Sequence, residues 1–314
     1  MVCGGITGPR TALTTLQVVI AVDVGATKVS GALYSNSLQI LHRSERPTRT
    51  TLEGLADPSL TQTLGVVYDL LAVAKDRNWT ANVGGIGVPE YVNAKGELGS
   101  RECIAWSVQP KDALDRHTTF AWAVESDVRC AARAEALQGA GIGRSSVLFV
   151  TASTGVAHCL VLNGIPWAGS RGAAIGLGIM PYKGEDGSSI SLESVAGGLG
   201  LARRYNEQAV IALKSARDIA KRVAHDEIAA SVIREAGCAL GTGLAIAAEL
   251  IDPELIVMGG SLWEGSQLYR DETSTSFESI FHPPELRPSV VTGSLGGDRG
   301  LLGAAMFALD IKSS

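Results

Sequence analysis

The stretch VVIAVDVGATKVSGALY, Val18 to Tyr34, decides the fold. Val18 to Val22 is apolar and rich in β-branched residues, the pattern of a buried strand. Gly25 and Ala26 permit a tight reversal, and Val29 to Tyr34 reads as a returning strand. Asp23 therefore stands at the mouth of a hairpin, where a carboxylate is costly unless a positive group comes to it.

The same pattern returns farther along the chain. SSVLFV predicts a strand, TASTGVA a small-residue turn and HCLVLNG a returning strand. Between the two hairpins, residues 55–77 have helical apolar spacing, VGGIGVPEYVN ends a buried strand in a proline turn, and residues 107–118 read as a polar connector. FAWAVES is a short strand that delivers SDVRCAARAEALQGAG, a helix with Ser126 as N-cap and Gly139 as its stop. Helices are expected from about Glu193 to Asn206, over 209–222 and over 226–251. ELIVMGG predicts a last buried strand, and RGLLGAAMFALDI a terminal helix.

With 314 residues the chain favours two domains of about 100–200 residues each. A net charge of −5 argues against general affinity for nucleic acid, so no nucleic-acid partner is expected. The five cysteines, Cys3, Cys103, Cys130, Cys159 and Cys238, are scattered and never spaced as CxxC, which fits a reducing, cytoplasmic setting. No run reaches the ~18 apolar residues of a membrane span, so no membrane partner is expected, and residues 1–16 read as a loose leader. Neither a Walker A sequence nor a strand–GxGxxG–helix unit is present.

Small-residue turns expose backbone N–H groups that form anion-binding concavities. DVGAT supplies one, with a carboxylate able to hold Mg²⁺ directly or through water; Ser153-Thr154-Gly155 supplies another, with two hydroxyls. Each alone is equally well a plain hairpin; together they favour phosphate. Phosphoryl transfer also needs a group to take the hydroxyl proton. Asp127, in the first turn of a helix that stabilises its anion, is the candidate. From the residues alone, its complementing the helix dipole on the surface is the commoner arrangement.

These segments resemble the ROK family (repressor, open reading frame, kinase) of the actin-like sugar kinase superfamily. AVDVGATKVSGAL resembles its first phosphate motif, GIGVPEYVNAKG its Gly-x-Pro-Gly strand end, VESDVRCAARAE its Asn-Asp helix start and TASTGVAHCLVLNG its second phosphate motif. LIDPELIVMGGSL and SLGGDRGLLGAAMFA are similar to its nucleotide-side segment and terminal helix, so the matches run from about residue 18 to 309.

The resemblance implies an α/β fold of two ribonuclease-H-like (actin-like ATPase) domains. They divide as 17–124, joined by the C-terminal helix 299–314, and 125–298. It implies ATP and Mg²⁺ in the interdomain cleft, a small-molecule sugar as acceptor, and a homodimer. Asp23 would hold the metal through water. Gly25, Thr27, Lys28, Ser153, Thr154 and Gly155 would contact phosphate, with Gly259 and Gly260 beside the nucleotide. Asp127 matches the family's base.

Departures from the family lie on the acceptor side. Gly176 and Ile179 stand where many members have the glutamate and histidine of Gly-Glu-x-Gly-His, and no cysteine lies between Cys159 and Cys238, so no zinc is expected. Ser126 replaces the asparagine beside the base, and Glu102 falls near the family's sugar-binding asparagine. Glu193 matches a glutamate kept after the zinc loop; with Glu90, Glu102 and Ser126 it makes up the candidate sugar-side set. Taken singly, each glutamate reads as a solvated surface residue. Arg129 reads as solvated, and Glu135 as a structural or surface partner.

The expected function is ATP-dependent phosphorylation of a sugar or polyol-like metabolite other than by an ordinary glucokinase, with polyphosphate as a possible donor. The alternative is a non-catalytic sugar or nucleotide sensor of the same fold. A repressor is set aside, since only 22 residues precede Asp23, too few for a winged helix domain.

Overall fold

The computed structural model describes residues 15–25, 27–48, 57, 59–101, 103–184 and 187–313. Most of the expected leader, Cys3, Ala26 and Glu102 lie outside these residues.

Strand β1 (Leu16–Val24) turns back into β2 (Lys28–Ser35) with Asp23 opposite Ser30. β3 (Ile40–Pro47) extends this hairpin, and helix α1 (Thr61–Asp76) leads to β4 (Trp79–Val88). After α2 (Pro110–His117) comes β5 (Ala121–Ser126), and the five strands form one sheet in the order β3-β2-β1-β4-β5. The apolar run in β1 is continuous because both its faces are covered. Val18, Ile20 and Val22 face the α1 side of the sheet; Val19 and Ala21 face α10 (Arg299–Ser313).

Helix α3 (Asp127–Gln138) leads to the second hairpin, β6 (Ser146–Ala152) and β7 (Val156–Leu162), which the short β8 (Ile165–Pro166) extends. A small ladder of β9 (Pro181–Lys183) and β10 (Ser189–Ser191) precedes α4 (Glu193–Ala196), α5 (Gly198–Gln208), α6 (Ala216–Ala220) and α7 (Glu227–Ile251). β11 (Leu255–Gly259), α8 (Ser261–Gly265), α9 (Gln267–Ile280) and β12 (Ser289–Thr292) complete the second sheet, ordered β12-β11-β6-β7-β8. β6 alternates as β1 does: Val147 and Phe149 pack toward α3, while Leu148, Val150 and Ala152 pack toward α7. Both sheets are therefore two-faced, as their sequences require. α10 crosses β4 so closely that a Cβ on Gly85 would lie 1.9 Å from the Ala304 carbonyl oxygen. Only glycine fits there.

Several local expectations are corrected. The connector at 107–118 contains α2, because Pro110 at the first helical position presets the turn and Ala113 and Leu114 are buried. The helix expected from Glu193 to Asn206 breaks at Gly197, whose backbone is extended; a Cβ there would lie 3.1 Å from the Gly155 Cα. Of 209–222 only Ala216–Ala220 is helical. Helix α9 and strand β12 went unread. α9 is polar on average, but Tyr269, Thr273 and Phe277 recur at helical spacing and bury their side chains, with α9 packed closely on Gly237 and Gly241 of α7. α7 itself is long and apolar enough to cross a membrane, contrary to the length expectation, yet 67 % of its most apolar window is buried inside the protein. Its apolar surface is spent in the core.

Candidate active site

The C-terminal ends of three parallel neighbours, β1, β4 and β5, deliver the acidic groups. Asp23 pairs with Gly87 in register, and Val88 with Ser126. A Cβ on Gly87 would lie 3.5 Å from Asp23 Oδ1 and 3.4 Å from the Asp127 Cα. The two aspartates stand on either side of this one glycine.

From the other sheet, β6 and β7 present their turn. The Ser153 N–H donates to the Gly155 carbonyl (2.9 Å). The turn is fastened to α5 by Gly198 N–H to the Ser153 carbonyl (2.8 Å) and Leu199 N–H to the Thr154 carbonyl (3.0 Å). The two sheets enclose a cavity of about 780 Å³ whose walls include Gly25, Asp127, Ser153, Thr154, Gly155 and Glu193. Both hairpin turns and the start of α3 thus share one hollow.

Other expected residues fall outside it. Thr27 is exposed, its carbonyl accepting from the Thr48 N–H (3.0 Å), and Lys28 forms an ion pair with Glu45 at 2.6 Å. Gly259 pairs with Thr151, a cavity residue, without lining the cavity itself. Gly260 has φ +99°, and a Cβ there would lie 2.3 Å from the Ala152 carbonyl oxygen. Packing against β6 suffices to require that glycine.

Desolvation dominates the electrostatics. Asp127 is pushed up to about 7, first by burial and then by the nearby Asp23 charge, against the pull of the Val128 N–H bonded to its Oδ1 at 2.6 Å. Asp23, half-buried and hemmed in by protein, is raised to about 6 by desolvation, with Lys28 opposing. The expectation that the helix start keeps Asp127 an easy anion is therefore overturned. Burial beside a second acid outweighs the first-turn advantage, which is worth about 0.3–1 kcal/mol.

Among the described residues the Asp23 carboxylate has no hydrogen-bond or ion-pair partner, and no group of three or more His, Cys, Asp or Glu side chains stands ready for a metal. A lone carboxylate beside the cleft suits a hydrated cation better than a bare one.

On the acceptor side, Glu193 Oε2 accepts from the Val156 N–H (3.3 Å) and lies against Gly155 and Gly178. Ser126 is buried at the cavity wall and occupies the N-cap position of α3 as expected, with an extended backbone, though its hydroxyl makes no cap bond. Glu90 also lines the cavity, but it is buried rather than solvated. It accepts from the N–H groups of Cys103 (3.0 Å) and Ile104 (2.9 Å) and from Trp106 Nε1 (3.2 Å), so it fixes the loop that carries Glu102. Where the family pattern has glutamate and histidine, Gly176 and Ile179 line the cavity together with Ile175 and Tyr91. His158, unread in the sequence, accepts from the Leu177 N–H through Nδ1 (3.0 Å), and burial lowers its pKa.

Two charged residues of α3 are fully internal, against the solvated reading of Arg129 and in line with the structural reading of Glu135. Arg129 is 1 % exposed, ion-paired with Glu125 at 2.5 Å and donating to the Gly172 and Val92 carbonyls. Glu135, with no exposed surface, accepts from the N–H groups of Ala140, Ser294 and Leu295 and from Arg299 Nε (3.3 Å). It ties the end of α3 to the loop that enters α10.

The ROK family pattern matches residues 19–311. This chain belongs to the ROK family. It is 27 % identical to a glucokinase of Halalkalibacterium halodurans, over 94 % of this chain and 96 % of that protein. It is 25 % identical to an N-acetylmannosamine kinase of Haemophilus influenzae, over 93 % of this chain and 95 % of that one. Among solved structures, the ROK family glucokinase of Streptomyces griseus, in complex with glucose and AMPPNP, superposes with a TM-score of 0.75 at 26 % identity. That match covers 93 % of this chain and 99 % of the other. The fold is the mixed α/β, actin-like ATPase fold of ROK sugar kinases.

Proposed function

We propose that this ROK protein is a sugar kinase that transfers the terminal phosphoryl group of ATP to a hydroxyl of a sugar or sugar-like acceptor. Family membership and relatives named for sugar phosphorylation support the enzyme class. One observation carries the site assignment: Asp127 and both hairpin turns open into a single cavity, with Asp23 one glycine away.

Asp127 is the general base. A carboxylate poised near 7 accepts the proton of the attacking hydroxyl with little driving force lost at neutral pH. The first turn at Gly25 and the second at Ser153–Gly155 cradle the phosphates, with Gly259 and Gly260 behind the second turn. Asp23 would hold Mg²⁺ through water, and the ion would supply positive charge to the phosphates. Glu193, Ser126 and Glu90 form the acceptor side together with Glu102. The homodimer and the cytoplasmic setting that the resemblance implies belong to the same reading.

A second reading is favoured by the wall itself. Ile175, Gly176 and Ile179 offer no hydrogen bonds to sugar hydroxyls through their side chains, as a sensor that has lost turnover would show. A panel of hexoses, N-acyl amino sugars and polyols with ATP or polyphosphate separates the two. ADP release with at least one acceptor is the expected result. Tight acceptor binding without product from either donor across the panel would establish the sensor instead.

A further inference from the structure

The cavity is short of positive charge. Its described walls carry three carboxyl groups, Glu90, Asp127 and Glu193, and a single cationic side chain, Arg203. Lys28, the cation nearest the first turn in sequence, is engaged with Glu45 and does not line the hollow. A bound triphosphate adds further negative charge to this acidic enclosure. Without a cation in the walls, both the phosphates and the acids would be poorly compensated.

Arg203 is placed to supply that charge. It belongs to α5, whose first residues are hydrogen-bonded to the Ser153–Gly155 turn through Gly198 and Leu199. Leu199 and Arg203 are four residues apart, hence on one face of the helix, and both line the cavity. Leu199 leaves 69 % of its surface open there. Among the described residues the one ionic neighbour of Arg203 is Glu207 at 3.9 Å, with both side chains more than half exposed, a pairing too loose to hold the guanidinium away from the cleft.

We propose that Arg203 is a nucleotide-binding residue, its guanidinium closing over the phosphates held by the second turn while Leu199 supplies an apolar lip beside it. A planar guanidinium suits phosphate oxygens, and its long stem lets it reach across the cavity mouth. The inference rests on the ATP-site reading above and adds a residue and a role to it.

Calorimetric titration of the purified protein with Mg-ATP and with adenosine tests it without any acceptor. Arg203→Ala is expected to weaken Mg-ATP about tenfold and to leave adenosine within twofold, whereas Leu199→Ala weakens both alike. Arg203→Lys should recover part of the loss. A Kd for Mg-ATP unchanged in Arg203→Ala, or an equal loss for ATP and adenosine, would overturn the assignment. Failure of the unaltered protein to bind Mg-ATP at all would instead remove the nucleotide site on which the role depends.

Discussion

Asp127→Asn should stabilise the protein while destroying its chemistry. Burial and the Asp23 charge carry the Asp127 carboxyl from 3.8 to about 7, so the folded chain holds a proton that the unfolded chain releases. The stability associated with that proton is fully present below pH ~4 and is lost as the pH climbs to about 7. Above neutrality the ionised group penalises the native state by up to about 4 kcal/mol, the free-energy equivalent of the shift. Asparagine fills nearly the same volume without the charge, and it also relieves Asp23. The two relief effects are coupled and do not add.

Urea denaturation of both proteins at pH 5 and pH 8 reads this directly. At pH 5 the variant should already lead by roughly 1.5 kcal/mol, because the unfolded chain has by then released most of its proton while folded Asp127 still holds one. At pH 8 the variant should be more stable by roughly 2–4 kcal/mol, with turnover abolished and nucleotide binding retained. An identical stability difference at both pH values would refute the desolvation account. Full turnover in the variant would refute the base.

Two further substitutions test other parts of the structure. Glu135→Gln removes the charge that faces Arg299 and weakens the clasp on Ser294 and Leu295; a loss of about 3 kcal/mol in urea denaturation is expected, the scale for breaking a buried pair. Ile179→His puts a polar side chain at a cavity position that is 61 % exposed and therefore roomy. The kcat/KM for hexoses relative to less hydroxylated acceptors should rise about tenfold, the worth of one added hydrogen bond, and Ile179→Ala should give no such rise.

The parts of the fold legible in sequence were those written locally. Both hairpins follow from an apolar run, a small-residue turn and a second run, and the alternation of Val18 through Val22 between two covered faces requires no long-range knowledge. Helix α9 was not legible because its polar average hides three buried residues whose partners are glycines in α7, some thirty residues earlier. Arg129 misled for the same reason. A charged side chain inside an alanine-rich helix looks solvated until the carbonyls of Val92 and Gly172 are brought to it.

The site divides along the same line. Motif chemistry located Asp23, Asp127 and the second turn because each sits at the end of a strand, and the ends of parallel strands converge whatever the loops do. It misjudged the charge state of Asp127, since a helix start is visible in sequence whereas the second acid across Gly87 is supplied by a strand a hundred residues away. Lys28, the cation expected beside the phosphates, stays off the cavity wall for a related reason. Lys28 neighbours the first turn along the chain, yet β2 aims it at Glu45 on the adjoining strand. Arg203 lies almost fifty residues beyond the second turn, and two backbone hydrogen bonds from the start of α5 carry it to the cavity wall. Charge balance in a cleft between two sheets is set by which elements are fastened to its rim, so sequence proximity to a phosphate turn is poor evidence for a phosphate-binding cation.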